Sequence, residues 1–420
     1  MSNSSETSAT LERWDDYRWL TSQAAEPWLN SMRDSQLPLT AQVAALRREL
    51  SPERTHLVLE LTSLRDRAQA KFTHAGTMFF TARGLEQASD EIVAAYKARR
   101  FHGRDVIFDL CAGIGGDLLA LAAAGKATAF DRDPIMAILA TANGRACFDR
   151  RSPDNRYPPP ACHARDVEQL GEQPDFAECS AWHIDPDRRS TGRRTTRVDL
   201  HEPATGAINR LLARNPHAAV KLAPAAQMPD DWPERAELEW ISRGRECRQL
   251  VAWFGELAHD AGRRRATVLG DGTSPPRSIL GTDELAPPRI APIGRYLFEP
   301  DAAVLAADLG PALAAEHDLA GISTGIAYWT GDAPLVDPAL ACFEVLEVLP
   351  FRVKPLAALL RARNIGQLEI KKRGVALDPA ELRRQLRLKG DEAATLLLAP
   401  IAKRVTAVLA RRVTQWTDCP

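Results

Sequence analysis

The stretch Val106-Ile-Phe-Asp-Leu-Cys-Ala-Gly-Ile-Gly-Gly-Asp117 decides the fold of this chain. Its beginning, 106–110, is a short apolar run of the kind that forms a strand buried on both faces. Gly113, Gly115 and Gly116 then allow the backbone to turn sharply and leave room for a ligand to lie against it. The stretch therefore predicts a strand followed by a ligand-binding turn.

A helix and a second strand follow this turn. The residues from Asp117 to Gly125 are mostly leucine and alanine, which predicts a helix that ends at that glycine. Residues 127–131 form a second strand that ends on the carboxylate of Asp131. A strand, a glycine turn, a helix and an acid-tipped strand are together typical of a nucleotide-binding βαβ unit.

The residues around the turn indicate which nucleotide it binds. A dinucleotide-binding turn has the pattern G-x-G-x-x-G, but Leu118 stands where the third glycine is expected. Asp109 and Asp117 would repel a pyrophosphate, whereas they can bind an ammonium group or hydroxyls. Asp131 follows Asp109 at about the spacing of a ribose-binding acid. We therefore predict S-adenosylmethionine as the cofactor, and a nicotinamide dehydrogenase is a distant alternative.

Four motifs occur in the order found in class I S-adenosylmethionine-dependent methyltransferases. They are FDLCAGIGGD (108–117), AFDRDP (129–134), HARD (163–166) and HIDPDRR (183–189). The chain resembles this family, and the resemblance implies an α/β fold with a doubly wound, Rossmann-like mixed sheet. It also implies that the protein is an enzyme that transfers a methyl group.

The same resemblance implies a role for individual residues of the cofactor site. Asp109 and Gly113 would line the methionine end, Asp131 would hold the ribose hydroxyls, and Asp166 would lie beside the adenine amino group. The complete predicted set of cofactor-binding residues is Asp109, Cys111, Ala112, Gly113, Gly115, Gly116, Asp117, Asp131, Arg132 and Asp166.

Asp185 and Pro186 would lie where the methyl acceptor docks, and we predict that they form the catalytic centre. A carboxylate and a carbonyl can fix and polarise an exocyclic amine or a ring nitrogen, which aligns it for in-line displacement. Amino methyltransferases of nucleic acids usually continue this motif with proline and an aromatic residue. Here the continuation is Asp187-Arg188-Arg189, so a ring that stacks on a base would come from elsewhere.

Residues 72–100 precede the first strand, and in methyltransferases that resemble this one such a segment folds over the cofactor. The alternative is a helix packed on the sheet edge. Ser89 is the expected N-cap of a helix in this segment. The candidate lid residues are Phe79, Phe80, Thr81, Gln87 and Ser89, and the candidate stacking rings are Phe79, Phe80 and Trp182.

The wider chain is similar to a bacterial subgroup of these methyltransferases that carries a THUMP-like C-terminal domain. The supporting motifs are FFTARGLEQASDE (79–91), GRYLFEPD (294–301), VLPFRVKPL (348–356) and EIKKRG (369–374). We predict four regions: a helical region (1–71), the methyltransferase domain (72–270), a linker (271–294) and an α/β THUMP-like domain (295–420).

Two basic segments are candidates for binding a polyanion. Arg188 and Arg189 begin an arginine-rich loop after the proposed acceptor motif, and Lys371, Lys372 and Arg373 form a second cluster. The net charge is -1, but residues 351–420 contain 15 Lys and Arg against 6 Asp and Glu. Arginine forks can clamp phosphates, whereas the alternative is that both segments are ordinary solvated surface.

Composition excludes several classes of protein. With 45% hydrophobic and 26% charged residues, the chain is typical of a globular protein. It has no apolar run of the ~20 residues that cross a bilayer, and its polar N-terminus has no secretory signal pattern. The seven cysteines form no C-x-x-C pair and the histidines no metal motif, so we expect a cytoplasmic protein without a metal.

The sequence therefore predicts a methyltransferase that acts on a base in ribosomal or transfer RNA. One alternative is a methyltransferase of a small molecule or a protein. Another is a non-catalytic RNA-binding factor that keeps the fold, against which the intact Asp109, Gly113 and Asp131 argue. The sequence leaves the RNA, the methylated atom and the oligomeric state open.

Overall fold

The computed structural model describes residues 13–148, 157–170, 176, 178–187, 197–282 and 285–413. The chain divides into two compact units, the first formed by Met1–Glu237 with Leu250–Gly262 and the second by Leu238–Gln249 with Arg263–Pro420. This division lies ahead of the predicted linker at 271–294, because part of that segment, Arg277–Gly281, forms a strand of the second unit.

The first unit begins with helices that precede the sheet. They are α1 (13–20), α2 (Glu26–Arg33), α3 (Leu39–Leu46), α4 (Pro52–Ala68), α5 (Ala82–Gln87) and α6 (Glu91–Ala98). Tyr17 and Leu61 are buried in one apolar cluster with Ile114 and Leu139, which belong to the glycine turn and to a later helix. The N-terminal helices therefore share a core with the predicted methyltransferase domain.

The N-cap of α6 differs from the prediction. Asp90, not Ser89, caps this helix, since its Oδ1 atom accepts hydrogen bonds from the backbone N–H groups of Ile92 and Val93, both at 3.1 Å. The Ser89 hydroxyl is thereby free to donate elsewhere, to Asp117 at 2.8 Å.

A mixed sheet with strand order β3-β2-β1-β4-β5-β7 forms the centre of the first unit. The first five strands pair in parallel, and β7 pairs antiparallel with β5 through Leu250–Trp253. The bounds are β1 (Val106–Leu110), β2 (Lys126–Asp131), β3 (Ala161–Ala164), β4 (Ala181–Ile184), β5 (Ala218–Leu222) and β7 (Glu246–Trp253). The predicted doubly wound mixed sheet is confirmed.

Helices connect these strands, as the alternation of apolar runs predicts. They are α7 (Gly116–Leu121), α8 (Pro134–Phe148), α9 (Val167–Leu170), α10 (Thr205–Arg214) and α11 (Trp232–Arg235). The carboxyl ends of β1, β2 and β4 carry Asp109, Asp131 and Asp185 at or next to their last residues. Because parallel strands end at one edge of a sheet, this topology brings the predicted site residues together.

The second unit contains β6 (Glu237–Arg243), β8 (Arg264–Leu269) and β9 (Arg277–Gly281). β6 pairs in parallel with β8, which pairs antiparallel with β9. The pairing partner is encoded far along the chain, so the local alternation of residues gave no sign of it.

A seven-stranded sheet of order β11-β12-β10-β13-β16-β15-β14 completes the second unit. Its strands are β10 (Tyr296–Pro300), β11 (Ala320–Gly321), β12 (Trp329–Gly331), β13 (Leu340–Pro350), β14 (Ile365–Lys372), β15 (Glu392–Ile401) and β16 (Arg404–Arg412). Its helices are α12 (Ala302–Ala306), α13 (Gly310–Glu316), α14 (Val353–Ala362) and α15 (Pro379–Leu386). Across the residues described, no helix is both long and apolar enough to cross a membrane.

Candidate active site

The glycine turn after β1 is held by the strand beside it. The Gly113 N–H donates to Asp131 Oδ2 at 2.8 Å, and the Ala112 N–H donates to the Phe130 carbonyl at 3.3 Å. Gly113 has φ +55°, and a Cβ atom there would meet nothing within 4 Å, so the turn faces open space. A ligand can therefore approach this backbone closely.

Gly115 has a different role from the one predicted for it. It has φ +85°, and a Cβ atom there would lie 3.3 Å from the Cβ of Ala140 on α8. Gly115 is not among the residues that line the cavity described below, so its function is to let the turn pack against α8.

A cavity of about 1550 Å³ opens above this turn. It is lined by eleven of the predicted site residues and by groups from α1, α4 and α5. The predicted residues present are Asp109, Cys111, Ala112, Gly113, Gly116, Asp117, Asp131, Arg132, Asp166 and Asp185, with Pro186 beside them. The structure therefore brings almost the whole predicted cofactor and acceptor set to one place.

A chain of buried polar groups forms one wall of the cavity. Asp109 Oδ1 lies 2.8 Å from His183 Nδ1, and His183 Nε2 lies 3.3 Å from Lys97 Nζ. Lys97 Nζ in turn lies 2.7 Å from Asp117 Oδ1, and the Ser89 hydroxyl donates to Asp117 Oδ2 at 2.8 Å. A lysine ammonium can only donate, so His183 Nε2 accepts a hydrogen bond from Lys97 and His183 Nδ1–H donates one to Asp109.

Burial and charge act in opposite directions on these groups. Burial raises the pKa of Asp109, and the neighbouring His183 offsets only part of that effect. Burial also acts to raise the pKa of Asp117, but the positive charge of Lys97 is the largest opposing effect, and this pKa lies below its ordinary value. Asp117 is therefore a fixed negative charge, whereas Asp109 ionises less readily.

Asp109 and Asp131 fit the two polar parts of S-adenosylmethionine. Asp109 Oδ2 is buried and accepts no hydrogen bond from the described residues, so an ammonium group would satisfy it. Asp131 stands at the end of β2 and holds backbone N–H groups of Gly113 and Asp133 with its two oxygens, at 2.8 and 2.9 Å. The remaining lone pairs of this carboxylate can accept hydrogen bonds from two ribose hydroxyls.

Asp185, in the predicted acceptor motif, forms an ion pair that the sequence did not predict. Asp185, directly after β4, lies with its Oδ2 atom 2.5 Å from Lys221 Nζ, which β5 supplies. Asp187 is held by Arg83 at 2.6 Å and by Gln87 at 3.3 Å. Two residues of α5 thus contact Asp187, and the lid role of this segment stays a prediction.

The remaining cofactor-binding predictions differ in their surroundings. Asp166 is exposed and accepts a hydrogen bond from the Glu168 N–H at 2.9 Å, which caps α9. Arg132 is exposed and forms an ion pair with Glu202. Cys111 lines the cavity, and burial raises the pKa of its thiol well above the usual value, which disfavours the thiolate that a nucleophile needs.

The aromatic residues predicted to stack on a base lie elsewhere. Trp182 is fully buried and donates its indole N–H to the Asn215 carbonyl at 2.8 Å, and Phe80 is buried in the core of the N-terminal helices. Phe79 lines a different groove. The rings that do line the cavity, apart from the buried His183, are Tyr17 and His56.

The basic residues predicted to bind substrate are not in this cavity. Arg188 and Arg189 lie outside the described residues. Lys371, Lys372 and Arg373 belong to the second unit, where Lys371 lies 2.7 Å and Arg373 3.3 Å from Glu299. Lys372 is exposed and donates to the Leu377 carbonyl.

Sequence signals for the two missed lysines existed. Lys97 follows Val93 by four residues and Ala94 by three, so a charged residue interrupts the buried face of α6. Lys221 interrupts an otherwise apolar central strand. A lysine at such a position has a partner or a function, but only the folded chain identifies the partner.

Comparison with known proteins agrees with this geometry. Two proteins of Mycobacterium tuberculosis, from strains CDC 1551 and H37Rv, are each described as an uncharacterised S-adenosylmethionine-dependent methyltransferase. Each is 32% identical over 386 residues, which are 86% of this chain and 98% of the relative. A crystal structure from Porphyromonas gingivalis W83, of a candidate methyltransferase, has a TM-score of 0.77 at 20% identity and covers 93% of this chain and 98% of its own.

The C-terminal part matches a family of its own. Residues 340–412 match the family described as THUMP domain-like, and they contain β13, α14, β14, α15, β15 and β16. The expected THUMP-like domain is therefore confirmed within the second unit. From the similarity along most of its length, the chain belongs to the S-adenosylmethionine-dependent methyltransferases and carries a THUMP-like domain near its C-terminus.

Proposed function

We propose that this enzyme methylates a nitrogen atom of a base in RNA, with ribosomal or transfer RNA as the substrate. The observation that carries the proposal is the environment of Asp185 at the acceptor end of the cofactor cavity. One oxygen is held by Lys221, and the other accepts no hydrogen bond from the described residues, so it can accept one from an amine. The THUMP-like domain supports the choice of RNA.

The charge of the cavity supports entry of a base without its phosphates. Among the described residues that line it, thirteen are Asp or Glu and five are Arg or Lys. Such a lining repels phosphate but admits an uncharged base. The target nucleotide would therefore enter unstacked, with its backbone held outside the cavity.

Residues of this chain divide the work of methyl transfer. S-adenosylmethionine, when bound, supplies an activated methyl group on a sulfonium. Asp109 binds the ammonium, Asp131 the ribose, and the bare backbone at Gly113 lets the ligand lie close to the turn. Asp185 accepts a hydrogen bond from the acceptor nitrogen and aligns it, and Lys221 fixes Asp185 in position.

The basic residues predicted to bind RNA remain part of the proposal. Lys372 is the most accessible of the cluster at 371–373, because Lys371 and Arg373 are already paired with Glu299. Arg188 and Arg189 follow the acceptor motif directly in the sequence, where they could hold the phosphates that flank the target base. The cytoplasmic location, predicted from the absence of any C-x-x-C pair in the sequence, is also proposed.

A second candidate function is methylation of a small cationic molecule. The excess of carboxylates in the cavity favours it, because an amine substrate would be attracted without any need for an RNA-binding surface. This candidate predicts that the basic segments have no effect on turnover.

One labelling experiment distinguishes the two candidate functions. Purified full-length protein is incubated with methyl-labelled S-adenosylmethionine and with either total RNA or the small-molecule extract of cells that lack the gene. We expect label in a nucleoside of the RNA, and mass spectrometry of RNA from cells with and without the gene should show the same methylated nucleoside. Asp185→Asn serves as the control. Label only in the small-molecule fraction would remove RNA from the proposal.

A further inference from the structure

The first unit has a second groove of about 1390 Å³ with a charge opposite to that of the cofactor cavity. It lies between helices α1 and α2, the segment 76–79, helix α8 and the end of β3. We call it the arginine groove, after its four arginines. They are Arg18, Arg33, Arg65 and Arg145, and the only Asp or Glu among the described lining residues is Glu26.

Arg65 is the most informative residue of the groove. It lies on α4, is only 9% exposed, and borders the groove. Its Nε–H donates to the Met78 carbonyl at 2.9 Å, and its guanidinium lies 5.3 Å from the Phe79 ring centre. No carboxylate of the described residues pairs with it. Burial and the nearby positive charge of Arg33 lower its pKa to about 10.

A buried cation without a counter-ion is costly, and an anionic ligand would remove that cost. The other three arginines of the groove add further positive charge. Neither Arg145 nor Arg33, which are both exposed, forms an ion pair with a described residue, and Arg33 donates to the Asn30 amide oxygen at 2.9 Å. Arg18 pairs with Asp15 at 3.2 Å. The groove therefore has positive charge in excess at its floor and at its rim.

Two aromatic side chains accompany these charges. Trp14 and Phe79 line the groove and are each only partly buried. Arginines interleaved with aromatic rings are typical of surfaces that bind single-stranded nucleic acid, since the cations contact phosphates and the rings stack on bases. A small inorganic anion would use the arginines but has no surface to stack on the two rings, which also pack against the core of the N-terminal helices.

The groove adjoins the cofactor site through one buried side chain. Asn143, on α8, accepts a hydrogen bond from the Phe79 N–H at 2.6 Å and donates to the Phe79 carbonyl at 3.0 Å. The same amide donates to the carbonyl of Ile114, in the glycine turn, at 2.9 Å. The segment that carries Phe79 in the groove continues to Thr81 in the cavity.

We propose that the arginine groove binds a single-stranded stretch of RNA, with its arginines on the phosphates and Trp14 and Phe79 against the bases. The proposal rests on the proposed function and extends it, because it assigns RNA contact to the N-terminal helices as well as to the THUMP-like domain. The strand held in the groove lies beside the cavity that its target base enters.

The test uses the full-length protein and a fluorescein-labelled oligouridine of about 15 nucleotides, which fits the site sizes of such surfaces. Binding is measured by anisotropy over a range of KCl concentrations for the wild type and for Arg33→Gln/Arg145→Gln. Both residues are exposed, so the fold is not at risk. The matched control, Arg47→Gln/Arg48→Gln, removes the same charge from exposed arginines that line neither the groove nor the cavity.

We expect the groove variant to bind about tenfold more weakly, with the slope of log affinity against log salt reduced by about 1.4 for two lost phosphate contacts. The control should retain the wild-type affinity. Arg65→Gln should weaken binding as well, while S-adenosylmethionine affinity stays unchanged in every variant. Equal loss in the groove and control variants would overturn the proposal, because it would mean that only net charge matters.

The labelling experiment distinguishes failure of this proposal from failure of the proposed function. If RNA is methylated but the groove variant binds oligouridine as the wild type does, the groove is not an RNA site and the enzyme is still an RNA methyltransferase. If neither methylation of RNA nor binding of oligouridine is observed, both proposals fall.

Discussion

The ammonium of Lys97 lies 2.7 Å from the carboxylate of Asp117, and both side chains are almost completely removed from solvent. Lys97 comes from the helix before the first strand and Asp117 from the helix after the glycine turn. The pair therefore ties the candidate lid to the backbone that faces the cofactor.

Replacement of Lys97 by methionine should destabilise the fold. The change leaves the Asp117 carboxylate buried without its counter-ion, and loss of one partner of a buried pair costs about 3–5 kcal/mol. Chemical unfolding should show a decrease of that size in the free energy of unfolding. Lys126→Met, at an exposed lysine of β2, is the control and should change stability by less than about 0.5 kcal/mol. Equal stability of the two variants would contradict the importance of the pair.

Cofactor affinity should depend on pH through Asp109. Burial raises the pKa of this carboxyl above its ordinary value of about 3.9, and the ammonium needs it ionised. Affinity should therefore fall about tenfold for each pH unit below the raised pKa and be constant above it. In the cofactor-free protein, the same shift lowers stability as pH rises from about 4 through the raised pKa, since the folded state binds the proton more tightly.

Calorimetric titration with S-adenosylmethionine at a series of pH values tests this dependence. Asp109→Asn should bind the cofactor about ten- to a hundredfold more weakly at neutral pH, and its affinity should show no slope in the acidic range. His183 is hydrogen-bonded to Asp109, so His183→Asn should change the pH at which the cofactor affinity begins to fall, but the fall itself should remain. If the affinity of Asp109→Asn still falls in the acidic range, a group other than Asp109 causes the pH dependence.

Asp131 should contribute to cofactor binding in two ways: its carboxylate accepts hydrogen bonds from the ribose, and it holds the glycine turn in place. Asp131→Ala removes the carboxylate that holds the Gly113 N–H, and affinity for S-adenosylmethionine should fall by about a hundredfold or more. Asp131→Asn keeps one oxygen acceptor and should lose less. Calorimetry measures both, and Asp133→Asn is the neighbouring control. Unchanged affinity in Asp131→Ala would exclude the proposed ribose site.

Lys221 should act on catalysis without acting on cofactor binding. Lys221→Met removes the partner that fixes Asp185, so methyl transfer should fall by about a hundredfold while the dissociation constant for S-adenosylmethionine changes little. Lys221→Arg should recover part of the rate. The measurement is incorporation of labelled methyl groups into the substrate found by the labelling experiment. A variant with full activity would show that the ion pair is only structural.

The fold of the catalytic unit was largely predictable because it depends on local patterns. The apolar runs at 106–110 and 127–131 and the glycines after β1 are encoded in neighbouring residues, and the structure confirms these strands and the mixed sheet. Ser89 was misassigned as a cap because Asp90, next to it, is an equally good capping residue. The partner of Ser89 lies on another helix.

The candidate site was predictable only in part, for a similar reason. Asp109, Asp131 and Asp185 stand at or directly after the ends of parallel strands, so sequence order alone brings them to one edge. Lys97, Lys221 and Arg65 were not predicted. The two lysines pair with carboxylates that are distant in the sequence, and Arg65 is buried where no described carboxylate pairs with it. Trp182 was a candidate stacking ring until its burial placed it in the core.

The sequence by itself determined the kind of pocket: a bare turn between two acids that suits a sulfonium cofactor with a ribose. Tertiary structure decided that Lys97 pairs with Asp117 and that one oxygen of Asp109 is left for a ligand. It also placed an acidic cavity and a basic groove in one unit. The physical reason is that residue type fixes what a side chain can do, whereas burial and neighbours decide its charge and its available partners.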